Sequence, residues 1–200
     1  MIKKALYLIS ALLVFGCSKN GDLTIMNKTN HNIYYTLEGN SYILEPMGED
    51  TYSYRLGKET PFNDPSKELK LMVYGETFSL EDAENNTTWV TIKPDKNLKL
   101  YLWPNHAGVK LINRSDKSIN SFRYEQYSSQ TMITSPELIP ASLAPGDSTW
   151  FRLPYSSGSV NSATYFYYKF RIVDSNGALH VVGDSTLVLS KDEQYRLFFD

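Results

Sequence analysis

The phrase "DLTIMNKTNHNI", Asp22 to Ile33, is written again as "GVKLINRSDKSI", Gly108 to Ile119, and this repetition constrains the fold more than any other feature of the chain. Leu23, Ile25, Asn27, Lys28, Thr29 and Ile33 align with Val109, Leu111, Asn113, Arg114, Ser115 and Ile119 at a constant offset of 86. Two more matches follow in the same order. "LEPMGEDTY", Leu44 to Tyr52, answers "LAPGDSTW", Leu143 to Trp150, and "VTIKPDKNLKLYL", Val90 to Leu102, runs beside "LVLSKDEQYRLFF", Leu187 to Phe199. Three ordered matches mark an internal duplication, so both halves must share one fold.

Each matched phrase reads as strand and turn. In the first, an alternating strand runs into Asn, a base and a hydroxyl residue, where the Asn side chain can bond nearby backbone before Ile33 or Ile119 starts the next strand; this predicts a β-hairpin. In the second, a Leu-x-Pro anchor followed by glycine and an acid predicts a turn into a strand. In the third, Leu98, Leu100 and Leu102 alternate with Lys99, Tyr101 and Trp103, and Tyr195, Leu197 and Phe199 repeat the pattern. Between these landmarks Leu69, Leu71 and Val73 alternate, as do Phe166, Tyr168, Phe170 and Ile172, with Tyr165, Tyr167, Lys169 and Arg171 on the opposite face. Asn176-Gly177 predicts a tight hairpin turn with positive φ at both positions. Only Leu80 to Asn86 offers a helical turn.

The composition fits strands, since fifteen tyrosines and nine phenylalanines suit half-buried pleated surfaces. Each half holds about six or seven short strands, which resembles the immunoglobulin-like sandwich. The expected fold class is all-β: two tandem antiparallel β-sandwich domains, 23–104 and 107–200, joined at "WPNHAG", Trp103 to Gly108.

The N-terminus carries a different message. Lys3 and Lys4 precede an apolar run from Ala5 to Phe15, then Gly16 and Cys17. Such a run makes a helix of about 16 Å, about half the hydrocarbon core of a bilayer, so residues 1–16 read as a secretory signal and not a membrane span. "VFGC", Val14 to Cys17, resembles the lipobox of bacterial lipoproteins. That resemblance implies cleavage before Cys17 and fatty acylation (diacylglycerol with a palmitate-type chain) of this one cysteine, followed by a short tether, 17–22. Two or three acyl chains make an effectively stable anchor, at about 0.8 kcal/mol per buried CH₂. The membrane is therefore an expected partner through Cys17. Ser18 gives no inner-membrane retention cue, which favours the outer membrane.

Losing residues 1–16 removes two lysines and no acids, so the formal charge moves from −2 to −4. Basic residues are scattered, and no basic run alternates with stacking aromatics; nucleic acid is not an expected partner. Catalysis is not expected either. His31, His106 and His180 are the only histidines, each in a turn, linker or strand end, and no nucleophile, phosphate-loop or calcium-loop motif is present. Acid pairs such as Glu49-Asp50, Glu81-Asp82 and Asp192-Glu193 read as solvated turns. No catalytic residue, metal ligand set or cofactor is assigned.

Binding leaves fainter marks. The repeat offset rises from 86 to 99 between Ile119 and Leu143, so the second half carries thirteen extra residues within Gln126 to Ser142. Loops added to a rigid sandwich commonly carry binding, and Tyr127, Met132 and Ile133 are the candidate contacts. The competing reading has Met132, Ile133, Leu138 and Ile139 cap the open end of the sandwich. Trp89, Trp103 and Trp150 suggest a glycan platform, although Trp103 and Trp150 read as packing residues. The chain is thus expected to be a non-catalytic, lipid-anchored binding or assembly module of the cell envelope, its partner an envelope protein or a glycan. A glycan-binding surface lipoprotein and a pilin-like subunit are the alternatives.

Overall fold

The computed structural model describes residues 19–57, 65–80, 84–129 and 131–200. Cys17, the signal segment and the Glu81-Asp82 pair lie outside the described residues. By its contacts the chain divides into two compact units. One holds the chain up to Lys28, Tyr34–Val73 and Leu80–Leu102; the other holds Thr29–Ile33, Tyr74–Ser79 and Trp103–Asp200.

In the first unit β1 (Asn20–Asn27), β4 (Glu49–Arg55) and β7 (Asn97–Leu102) form a sheet in the order β4-β1-β7. The second sheet takes β2 (Ile33–Leu37), β3 (Asn40–Leu44), β5 (Lys67–Gly75) and β6 (Thr87–Ile92) in the order β3-β2-β5-β6. The second unit repeats this strand for strand. β8 (Ala107–Asn113) lies between β11 (Ser148–Leu153) and β14 (Gln194–Phe199), while β9 (Ile119–Tyr127), β10 (Met132–Thr134), β12 (Tyr167–Asp174) and β13 (Leu179–Val182) run in the order β10-β9-β12-β13. β1 is antiparallel to β4 and parallel to β7; β8 is likewise antiparallel to β11 and parallel to β14. The fold is all-β, two sandwich-like halves of three-plus-four strands, and among the described residues the one helical element is the 3-10 turn Glu84–Asn86.

Alternation decides which face is inside. Leu23, Ile25, Leu69, Leu71 and Val73 are buried in the first unit; Val109, Leu111, Tyr168, Phe170, Ile172, Leu197 and Phe199 in the second. Leu69, Leu71 and Val73 correspond to Tyr168, Phe170 and Ile172 at an offset of 99, so the duplication extends through the central strands β5 and β12. In the second unit Phe122 stacks on Phe170 at 5.6 Å, and Leu111, Leu153 and Leu197 of the opposite sheet complete the same core.

The repeated phrases are repeated because they build one corner. Asn27 and Asn113 are fully buried. Asn27 Nδ2 donates to the Leu44 and Glu45 carbonyls (3.1 and 2.9 Å), and Asn113 Nδ2 donates to the Leu143 and Lys117 carbonyls (3.0 and 2.7 Å). The next amide closes on the third phrase: Lys28 N–H donates to Leu102 O at 3.0 Å and Arg114 N–H to Phe199 O at 2.7 Å. This corrects the expected hairpin. β1 and β2 lie in different sheets, as do β8 and β9, and the buried amide ties the crossing to backbone carbonyls, Leu143 O accepting from both Asn113 Nδ2 and the Ile119 amide. At Asn176-Gly177 only Gly177 has positive φ, 79°; the Asp174 carboxylate accepts from the Asn176 and Ala178 amides (2.9 Å each) and sets the turn.

Candidate functional site

The second unit's extra residues lengthen β9, which has nine residues against the five of β2, and lie around β10, the counterpart of β3, where the first unit joins β2 to β3 by a two-residue turn at Glu38 and Gly39 (φ 51° and 82°). The rest of the insertion runs back along β9. Ser135 N–H donates to Tyr124 O (2.9 Å) and Leu138 N–H to Phe122 O (3.0 Å), and the Glu137 carboxylate accepts from the Phe122 amide (2.6 Å), Arg123 Nε (3.2 Å) and Ser121 Oγ. Burial would raise the Glu137 carboxyl, but the donors from Ser121, Phe122 and Arg123 outweigh it and hold it below its usual range.

Residues two apart on a strand share a face, so Arg123, Glu125 and Tyr127 of β9 stand beside Arg171, Lys169 and Tyr167 of β12. Met132 of β10 is paired with Tyr127, which makes a row of Met132, Tyr127 and Tyr167 across three strands. The Tyr127 and Tyr167 rings stack at 5.2 Å and 8°, and Lys169 Nζ sits 4.9 Å from the Tyr127 centroid. Tyr127 OH donates to Glu125 at 2.6 Å, and Arg171 Nη1 donates to the same carboxylate at 2.9 Å. Tyr127 and Arg171 hold the Glu125 carboxyl below its usual range, and the same bond raises the Tyr127 phenol. The Tyr127 ring is thereby fixed at both ends.

Beyond this row the surface dips into a 340 Å³ groove. Tyr127, Tyr165 and Tyr167 form its aromatic side; Ser129, Asn161 and Ser185 stand on its rim. The loop bearing Asn161 is tied by Ser157 N–H to Thr164 O (2.9 Å) and Phe166 N–H to Ser156 Oγ (3.0 Å). Beneath the sheet, Gln126 Nε2 donates to Tyr168 OH at 2.8 Å and that hydroxyl donates to Pro154 O. Burial raises the Tyr168 phenol. A rigid base therefore supports the exposed aromatic row.

The structure brings Tyr127 and Met132 together, as their sequence proximity suggests, but not Ile133. Ile133 pairs with Gln126 and so projects to the other side of β10, although it remains 55 % exposed. The two readings of the insertion divide between its ends: Leu138 and Ile139 close the core, while Met132 and Ile133 do not. Tyr165, Tyr167, Asn161 and Ser185 are the members that sequence reasoning missed. The outward set at Tyr165, Tyr167 and Lys169 was visible in the alternation; its pairing with Tyr127 was not.

The first unit's outer face differs. Trp89 of β6 pairs with Lys70 of β5 and is 64 % exposed, beside a 340 Å³ depression lined by Lys70, Glu84, Asn85, Thr87 and Trp89. Trp150 is half-buried, with Lys110 Nζ 5.6 Å over its ring, whereas Trp103 is 60 % exposed, against the expectation that it packs away. His31 Nε2 lies 2.8 Å from Asp192 O, His106 Nδ1 2.8 Å from Asn105 Oδ1 and His180 Nε2 3.3 Å from the Asp174 carboxylate, each in a structural contact. Among the described residues no group of three His, Cys, Asp or Glu side chains could hold a metal ion.

No family model matches the sequence, and no curated protein matches it. Solved structures with partial likeness include a protein from Bacteroides ovatus proposed to act in cell adhesion (TM-score 0.35, 11 % identity, 92 % of this chain and 93 % of that one). A fimbrial assembly protein from Parabacteroides distasonis gives a TM-score of 0.30 at 9 % identity over 91 % of each chain. A tip fimbrial protein from Porphyromonas gingivalis gives 0.27 at 9 % identity, over 82 % of this chain and 81 % of that one. At this level the likeness assigns nothing, and the fold rests on the strand pairing above.

Proposed function

We propose that the chain is a non-catalytic binding or assembly module of the cell envelope, processed before Cys17, held by lipid on that cysteine in the outer membrane, and contacting its partner through the Met132, Tyr127 and Tyr167 row. The observation that carries this reading is the row itself. It combines an adaptable apolar side chain with two stacked aromatic rings where β9 runs longer than its counterpart β2, over a base of buried hydrogen bonds. The described grooves give catalysis little support, because each is lined by one carboxylate or none. A strand-borrowing pilin has less support than a binding module, since β7 and β14 already lie beside β1 and β8.

Two measurements test the reading. Metabolic labelling with palmitate should mark the wild-type protein in the membrane fraction, and Cys17→Ala should lose both label and membrane retention; a labelled Cys17→Ala protein would refute the anchor. For the contact surface, the full chain carrying Cys17→Ala is immobilised and exposed to detergent-solubilised envelopes of a strain lacking the protein. Met132→Glu should weaken retention about tenfold, one decade for each 1.4 kcal/mol, while Trp89→Ala retains as much as the parent. Equal retention by Met132→Glu removes the row from the proposal.

A further inference from the structure

We infer that the groove beside Tyr165 and Tyr167 is a carbohydrate site, which rests on the reading of this face as the contact surface and names the ligand class. A pyranose ring presents an apolar face of C–H groups and an edge of hydroxyls. It is matched by a surface that offers an aromatic face and neutral hydrogen-bonding groups side by side, without a strong charge. The groove has this composition: three tyrosines, one valine and four small polar residues, and no Asp, Glu, Lys or Arg in its lining. Its 340 Å³ lies at the small end of ligand sites, which suits one or two sugar rings laid on an open surface better than a buried cofactor.

The hydrogen-bonding inventory distinguishes the groove from ordinary surface. Tyr127, in the middle of the row, has its hydroxyl committed to Glu125 and serves as a wall. Tyr165 OH, Tyr167 OH, Ser129, Asn161 and Ser185 have no side-chain hydrogen bond among the described residues, so five residues with groups able to donate or accept line one open volume. Tyr167 then has a double part. One face of its ring is stacked on Tyr127, which fixes the ring plane before any ligand arrives, and its hydroxyl remains for the ligand. Pre-set aromatic side chains cost little conformational entropy on binding. Lys169, 4.9 Å from the Tyr127 centroid and outside the lining, adds a positive field that would favour a sugar bearing a carboxylate over a neutral one.

The test uses the immobilised full chain carrying Cys17→Ala and two treatments of the solubilised envelopes. Periodate cleaves vicinal diols and so destroys sugar rings; proteinase K destroys proteins. Retention of envelope material that survives proteinase K and is lost with periodate supports the inference. Retention lost with proteinase K and surviving periodate overturns it and leaves the binding reading standing with a protein partner. No retention by the parent protein overturns both. Tyr167→Ala should weaken the periodate-sensitive retention about tenfold, the upper end of what an aromatic contact contributes. Should Tyr167→Ala fail to fold, Asn161→Ala and Tyr165→Phe, both exposed or half-exposed and outside the core, should each weaken it two- to fivefold or more while melting as the parent does. Retention unchanged in both variants overturns the site.

Discussion

The two sandwiches are alike at one corner and unlike on one face. At the corner, Asn27 and Asn113 make the same kind of bonds to the same repeated Leu carbonyls, Leu44 O and Leu143 O, and the following amides close on Leu102 and Phe199. On the outer face of the four-stranded sheets the equivalent positions diverge: Glu68 stands where Tyr167 does, while Lys70 and Lys169 are kept. A buried polar group must find its partners or cost stability, so the corner tolerates little change after duplication. An exposed strand face is free to diverge, and it is there that the second unit gained the tyrosine row and groove.

The largest effects should come from the shared cores. Phe170→Ala should cost about 3 to 5 kcal/mol and Leu71→Ala about 2 to 4, because both are buried at equivalent central positions and each truncation leaves a cavity. Urea unfolding with hydrogen exchange read by mass spectrometry would show which half opens. If Leu71→Ala opens the second unit first, the two cores are not the independent equivalents described. Next come the corners. Asn27→Ala and Asn113→Ala should each cost about 1 to 3 kcal/mol, since each removes two hydrogen bonds from a fully buried side-chain amide to backbone carbonyls. A neutral result at one asparagine alone would break the equivalence.

Acid sharpens the contrast. Among the described residues, the four carboxyls held below their usual range, Glu125, Glu137, Asp174 and Asp184, all lie in the second unit. Asp174 is fully buried and held by the Ala178 amide first, then by Lys117, His180 and the Asn176 amide. A depressed folded pKa means that the unfolded chain binds more protons at low pH. The stability these groups add is complete above their unfolded values, near pH 4, and is lost as pH falls through the folded ones. The second unit should therefore gain exchange before the first between about pH 4 and pH 2. Asp174→Asn and Glu125→Gln should flatten that dependence; a first unit that opens earlier would contradict it.

Most of the fold could be read from the residues because burial leaves a period. The alternation at Leu69, Leu71 and Val73 and at Tyr168, Phe170 and Ile172 placed the central strands and their inward faces. What the period does not encode is which strands pair. Asn27 looked like a turn residue because local and long-range bonding leave the same letter; only the fold shows its amide reaching Leu44, seventeen residues on. β9 hides a second irregularity. The register shifts near Asn120, so Phe122, and not Ser121, faces the core opposite Ile172. For the site, the length difference between the halves pointed to Tyr127 and Met132, but Tyr165, Tyr167, Asn161 and Ser185 come from segments distant in sequence that meet only through β9–β12 pairing.

The smallest expected effects separate surface chemistry from stability. Met132→Glu and Trp89→Ala alter side chains that are 57 % and 64 % exposed, so each should leave the melting transition of its own half within about 0.5 kcal/mol of the parent. Yet the two are expected to part in function. Met132 belongs to the row across β10, β9 and β12, and a carboxylate there would also face the Glu125 charge on the same strand pair. Trp89 belongs to the other face, where Lys70 is its cross-strand neighbour. Envelope retention that falls with Met132→Glu, at unchanged stability, and holds with Trp89→Ala would place the acquired function on the row that the second unit carries across β10, β9 and β12. Loss with Trp89→Ala alone would place it on the face of the shorter duplicate, and the added residues of the second unit would then be read as closing its core through Leu138 and Ile139.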